Sequence, residues 1–343
     1  MTATGESTST TAALRSEADR MTATAAEERV MQGDWPDGAK FCVSLTYDIE
    51  QCTNFPYWTC VWDHEKGAID AESRRHVSDL AACAQAAGVL FQWFALGQSF
   101  TPADVSYLQD LSLAGHPIGN HTYRHVNVKA REWEQVQITY NLDPSLRDGS
   151  ATPLDAIRNE IQQTSAVMEQ RLGVRPAGFR TPGGFTNGLD DAPQIQELLQ
   201  KEGFAYVSSH YNLPISLPRH QGYPIATETR PSREQLQDAM RASIRSLQPY
   251  RYSNGLLEIP MMGISDIWAF RVLDLDRAEW LSLMELGVDI AAEEGLLFSI
   301  LMHPSVLASR DPHAATARRV VERTLRKGGA VVTNDQIAAH LAG

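Results

Sequence analysis

Short apolar runs with no polar face recur along this chain, each followed by a segment of helical periodicity, and that alternation limits the folds open to it. Strands are predicted over residues 41–47, 89–96, 116–119, 177–180, 205–209, 256–261, 297–302 and 330–332. Between them the 3.6-residue pattern predicts helices over 73–87, closed by Gly88, and over 103–114, closed by Gly115. Further helices are expected over 154–172, 194–202, 277–294 and 312–327, with a mostly helical stretch ending near Leu247. Strands that are apolar on both faces belong to parallel sheets covered by helices, so the expectation is an α/β fold, a distorted (β/α) barrel of seven or eight strands. The 343 residues suit one such domain over 36–343, preceded by an arm over 1–35 that is partly disordered or helical. Residues 131–153 interrupt the pattern with Asp-Pro and Asp-Gly turn signals and read as a lid or a surface loop.

Charge and composition exclude several classes of function. A formal net charge of -12 opposes attraction to phosphate backbones or anionic lipid, so nucleic acid is not an expected partner. The first 26 residues hold no apolar run long enough for a signal-peptide core or a membrane span, which gives a cytoplasmic reading. Cys42, Cys52, Cys60 and Cys83 lack zinc-thiolate spacing and read as reduced thiols, with Cys52 and Cys60 the pair to check for a bridge. Oligomeric state is left open, a homo-oligomer included.

Barrel enzymes carry their chemistry at the carboxyl ends of the strands, and polar residues collect there. The first strand ends in Asp48 and Glu50, two acids on one face of an extended segment, costly together unless a cation or proton lies between them. The third leads into His121-Thr122-Tyr123-Arg124-His125, whose two imidazoles can converge on one metal from a helix turn or a strand-exit loop. The fourth ends Arg180-Thr181-Pro182-Gly183, the sixth carries Glu258 and is followed by Asp266 and Trp268, and the seventh ends at His303. Singly, each has a plain reading as a turn acid, a surface ion pair or a core histidine. Jointly, at one end of one barrel, they are the parts of a metal-assisted amide hydrolysis site.

The order Thr-Tyr-Asp-Ile-Glu, His-Thr-Tyr-Arg-His, Arg-Thr-Pro-Gly-Gly and Leu-Met-His-Pro resembles the polysaccharide deacetylase family, also called the nodulation deacetylase homology domain or carbohydrate esterase family four, over about residues 40–335. The runs at 203–209 and 257–260 are similar to its intracellular branch of peptidoglycan-deacetylase-like proteins, cyclic imide hydrolases and cofactor-free allantoinases. The resemblance implies that Glu50, His121 and His125 hold a divalent metal, zinc first, with Co, Mn, Ni or Fe as alternatives. It implies Asp48 as general base, Arg180 as the residue that orients it, and His303 as the acid that protonates the leaving nitrogen. It also implies a backbone N–H near Thr181 to Gly184 for the oxyanion, substrate contacts from Thr181, Pro182 and Gly183, and Thr122 in support.

Three departures stand out. Glu50 is where the family more often has Asp, Gly183 replaces a usual aromatic, and residues 207–209 lack the acid that often supports the catalytic histidine, leaving Asp266 as the candidate. Tyr57, Trp58 and Trp62, in the insertion after the first strand, could stack on a sugar face, close over a small planar ring, or simply pack the barrel rim. The expected function is hydrolysis of a non-peptide C–N bond in a small molecule or oligosaccharide, first N-deacetylation of an acetylated amino sugar or glycan. A cyclic imide or ureide (allantoin-like) hydrolase is the second reading, and a barrel that binds a small ligand without turnover the third.

Overall fold

The computed structural model describes residues 35–53, 66–136, 144–215, 219–220, 223–224 and 230–342. Its strands are β1 (Cys42–Ile49), β2 (Gln92–Ala95), β3 (Ile118–Asn120), β4 (Gly178–Phe185), β5 (Tyr206–His210), β6 (Arg219–His220), β7 (Tyr223–Pro224), β8 (Tyr250–Arg251), β9 (Leu257–Glu258), β10 (Leu297–Met302) and β11 (Ala330–Val331). The helices are α1 (Ala71–Ala87), α2 (Ser106–Leu113), α3 (Trp133–Val136), α4 (Pro153–Leu172), α5 (Pro193–Lys201), α6 (Arg233–Ser246), α7 (Arg277–Glu294), α8 (Pro304–Arg310), α9 (Ala315–Arg326) and α10 (Asn334–Ala342). None is long and apolar enough to cross a membrane among the described residues.

The main sheet runs β10-β1-β2-β3-β4-β5-β9-β8, with β11 beside the first residues of β1. All these pairings are parallel except β8 with β9. Past β9 the Met262 amide donates to the Ser299 carbonyl at 2.8 Å, and Met262 bridges Ile300 of β10. The curled sheet thereby meets itself, a distorted (β/α) barrel whose seam rests on one bridge.

Alternation along β1 sorts its side chains. Tyr47 turns outward and stacks on Trp93 with ring centroids 4.8 Å apart, in the core beneath the helices. Thr46 and Asp48, two apart, turn inward to Arg180. Helix starts follow their capping signals: Asp70 accepts from Ser73, and Thr152/Asp155, Ser232/Gln235 and Asp276/Glu279 form capping boxes.

Several predicted elements differ from those observed. The helix expected over 312–327 is α9 alone, and α8 precedes it, started by Pro304 at its first turn. His313 and Ala314 between them are left-handed (φ 59 and 53), and Asp311 accepts from the Thr316 amide at 3.0 Å. The mostly helical stretch before Leu247 holds α6 and a β6–β7 hairpin. The strand over 256–261 is two residues of ladder followed by isolated bridges at Met261 and Met262. The 131–153 interruption contains α3 and a 3-10 turn at Pro144–Arg147. Of the arm expected over 1–35 only Trp35 is described; it is buried, and its indole donates to the Gly295 carbonyl at 2.9 Å.

One glycine sets the floor of the barrel mouth. A Cβ on Gly119 would stand 2.5 Å from the Phe94 ring and 2.9 Å from the Gly178 carbonyl oxygen, and the Arg180 guanidinium lies 4.2 Å from the centroid of that same ring. Gly119→Ala is expected to cost about 1–3 kcal/mol, the usual penalty of overpacking, read as a lower urea midpoint at unchanged m.

Candidate active site

Parallel register gathers the polar strand ends. The last registered pair of β1 and β10 is Tyr47 with Met302, and one residue further on both strands stand Asp48 and His303. β3 and β4 pair at Asn120 with Phe179, and one residue further stand His121 and Arg180. Glu50, two positions past Asp48, lies on the same side of the chain.

His121 and His125 leave β3 through a loop, not a helix. Thr122 and His125 are both left-handed, with φ of 64 and 61, a conformation that non-glycine residues adopt at a cost. Asn120 holds this turn: its Oδ1 accepts from the Thr122 amide at 2.8 Å, and its Nδ2 donates to the Ile161 carbonyl at 2.8 Å. Thr122 is buried, and its Oγ1 accepts from the Val126 amide at 3.3 Å, so it shapes the loop from within. Glu160 of α4 accepts from the Arg124 amide at 2.6 Å and from its Nε at 2.7 Å.

The loop delivers Nε2 of His121 to 3.2 Å and Nε2 of His125 to 2.9 Å from Oε2 of Glu50. Nδ1 of His121 stands 3.0 Å from the Arg180 carbonyl oxygen, which can only accept. A neutral ring that donates from Nδ1 turns a bare Nε2 towards a carboxylate, acceptor against acceptor, and a cation between them resolves that clash. Two imidazole nitrogens and one carboxylate oxygen are a donor set that first-row divalent ions accept, and these atoms lie within 4.8 Å of one another. The protonation states agree. Burial first, then the Lys66 ammonium, push His125 down to about 4 despite the opposing pull of Glu50, which keeps it neutral near pH 7. Burial raises the Glu50 carboxyl, but Lys66 and the two imidazoles outweigh it and leave it well below the usual carboxylate range.

Asp48 and His303 stand side by side against this cluster. Arg180, with no solvent exposure, donates from Nη1 to Asp48 Oδ1 and to Thr46 Oγ1, both at 2.8 Å, and from Nη2 to Ser208 Oγ at 3.1 Å. Asp48 Oδ2 faces His121 Nε2 at 3.8 Å. His303 has Nδ1 2.8 Å from Asp266 Oδ1, and its amide donates to the other oxygen of Asp266 at 2.6 Å; its Nε2 points to Glu50 Oε1 at 3.7 Å. Burial lowers the His303 pKa, yet Asp266, with Glu50 and Asp48 behind it, outweighs burial and raises it above the ordinary imidazole value.

The family model described as polysaccharide deacetylase matches residues 37–207. The chain belongs to the polysaccharide deacetylase family. Among solved structures it is similar to a putative polysaccharide deacetylase from Mycobacterium smegmatis at 18% identity, TM-score 0.61, covering 92% of this chain and 95% of that one. It is likewise similar to Puue allantoinase at 15% identity, TM-score 0.60, covering 91% and 93%. A probable polysaccharide deacetylase from Pseudomonas aeruginosa PAO1 follows at 16%, TM-score 0.59, covering 91% and 94%. No curated protein matches. Identities this low establish the shared fold and nothing finer.

In this deacetylase-family barrel the sequence-derived candidates fall into four groups. Asp48, Glu50, His121, His125, Arg180, His303 and Asp266 meet in one buried cluster. Of the arginine motif, Thr181 and Pro182 are buried, with Thr181 Oγ1 turned to the Gly183 carbonyl at 2.9 Å, while Gly183 is exposed with φ 70. Tyr57, Trp58 and Trp62 lie outside the described residues, as does Cys60 and with it the Cys52–Cys60 pairing; Cys42 and Cys83 are buried free thiols. Glu258 faces away from the cluster: it accepts from the Ser209 and His210 amides at 2.7 and 2.9 Å and from the hydroxyls of Ser209 and Tyr252 at 2.6 and 2.7 Å, tying β5 to β9. Trp268 is core.

Sequence reasoning passed over Lys66, Asn120, Glu160 and Ser208. Glu160 had a signal, an acid inside the buried stripe Ala156, Ile157, Ile161, Thr164 of α4. Lys66 had none: it is 2% exposed and contacts Oε1 of Glu50.

If Asp266 keeps His303 charged against burial, Asp266→Asn leaves burial unopposed by its nearest acid. The His303 imidazole, followed by NMR titration, should have its midpoint above the ordinary value of ~6.5 in the parent protein and at least one unit lower in Asp266→Asn. An unmoved midpoint would show that Asp266 does not set it.

Proposed function

We propose that this chain is a metal-dependent hydrolase of non-peptide C–N bonds, and that its substrate is an N-acetylated amino sugar or glycan from which it releases acetate. The observation that supports this best is the placement of two differently prepared acid–base groups side by side against one donor cluster. Asp48 is fixed by Arg180, and His303 is fixed by Asp266 and held towards its charged form.

Glu50, His121 and His125 would hold the metal, zinc or another first-row ion, which when bound polarises the carbonyl and lowers the pKa of water towards about 7. The remaining steps belong to the protein's own side chains. Asp48 takes a proton from the attacking water, with Arg180, itself held by Thr46, keeping the carboxylate in place through the exchange. His303 donates its Nε2 proton to the leaving nitrogen as the C–N bond breaks, and Asp266 stabilises the imidazolium until that transfer. The exposed backbone at Gly183 and Gly184 follows Arg180 on the same strand, and its N–H groups are the candidates for the oxyanion. With glycine where the family more often has an aromatic, stacking on a sugar ring falls to other residues.

The roles separate by substitution. Asp48→Asn should retain bound metal and lose about 10²- to 10⁴-fold in kcat, the usual share of a positioned base, whereas His125→Ala should lose both metal and turnover. Metal content by mass spectrometry beside acetate release from chito-oligosaccharides reads both. Full activity in Asp48→Asn removes the assignment of the base, and opening of simple cyclic imides without acetate release moves the substrate from glycan to imide or ureide.

A further inference from the structure

We propose that Lys66 and a divalent metal ion are alternative counter-cations for Glu50, with Lys66 holding the carboxylate while the metal is absent and competing with it for the site. This rests on the metal reading given above and concerns a residue that reading does not use.

Lys66 is placed by backbone. The amide of Gly67 donates to the carbonyl of Glu50 at 2.6 Å, so the chain returning to the barrel is clamped against the residue that carries the carboxylate. Gly67 has φ 89, and a Cβ there would stand 2.5 Å from Cβ of Gln98, so the close return needs glycine. The clamp sets the ammonium of its neighbour Lys66 on Oε1 of Glu50 and 3.0 Å from Oε1 of Gln51, in a position 2% exposed. Lysine is seldom buried without a partner, and here the partner is the carboxylate of the donor cluster.

The two oxygens of Glu50 are divided between two kinds of neighbour. Oε2 faces both imidazoles, and Oε1 faces Lys66 and, at 3.7 Å, His303 Nε2. A divalent ion at Oε2 brings a second strong cation within a few ångströms of the ammonium, in a space with little water to screen the repulsion. Without either cation, the positive group left near this buried carboxylate would be His303, which is already paired with Asp266. Lys66 therefore balances Glu50 in metal-free protein and opposes the binding of an ion.

The test titrates metal-stripped protein with Zn²⁺ by calorimetry and counts bound metal by mass spectrometry, in the parent chain, in Lys66→Met and in Lys66→Gln. The glutamine keeps a polar group without charge and covers the case in which methionine does not fold. The expected result is binding about 10- to 100-fold tighter in the neutral variants, together with a lower Tm in their metal-free form. Equal or weaker Zn²⁺ binding in the variants overturns the proposal. If that binding is stoichiometric in all three, the metal reading stands without it; if none of the three binds Zn²⁺, both fall.

Discussion

Asp48, Glu50, Lys66, Arg180, Asp266 and His303 share a space from which water is nearly excluded; none is more than 4% exposed. Removing a charge from water costs several kcal/mol unless another charge and a set of hydrogen bonds replace the solvent, so no member of this group can be arranged independently. The group comprises three carboxylates and, with His303 held towards its charged form, three cations. Each carboxylate has its own cation: Arg180 for Asp48, Lys66 for Glu50, His303 for Asp266. A divalent ion added to that balance leaves an excess of positive charge, and the members able to yield are those that can move or lose a proton. Arg180 can do neither. It is locked by Thr46, Asp48 and Ser208 and backed by the Phe94 ring.

The same constraint explains the architecture around the mouth. Residues 48 and 303 are far apart in sequence, and a parallel ladder brings them side by side because β1 and β10 start level and rise together. β3 and β4 do the same for His121 and Arg180. Gly119 is small so that Phe94 can pass beneath the guanidinium, and Asn120 ends its strand by capping the left-handed turn that aims both imidazoles. Packing of the helices thus acts on the chemistry through strand register, which moves a whole rung or none of it.

The sequence made the rungs readable for the same reason. Strands buried on both faces stand out as apolar runs, and the first polar residue beyond each run is where the rung emerges at the mouth, a rule that picks out Asp48, Arg180 and His303. Where the signal failed, the physics was not periodic. β9 is two residues of ladder continued by isolated bridges, too irregular for a period of two to mark its end. Glu258, a polar residue within the sixth predicted strand, serves as a staple between β5 and β9, because its four donors come from the neighbouring strand and from Tyr252. Lys66 returns from a loop, and a lysine's burial depends on a backbone clamp at Gly67 that leaves no mark in hydrophobic spacing.

The glutamate at position 50 gains meaning from that lysine. One methylene longer than aspartate, its side chain carries the carboxylate further from β1, to where Oε2 meets two imidazoles while Oε1 meets an ammonium arriving from the other side. A carboxylate shared in this way stays ionised because Lys66 and the two imidazoles together outweigh the cost of burial. The protein therefore need not leave a buried anion uncompensated while it folds, and the donor atoms are already gathered before an ion arrives. On the proposed competition, an ion would bind more weakly than the donor set alone allows, because the ammonium that balances Glu50 would also repel it.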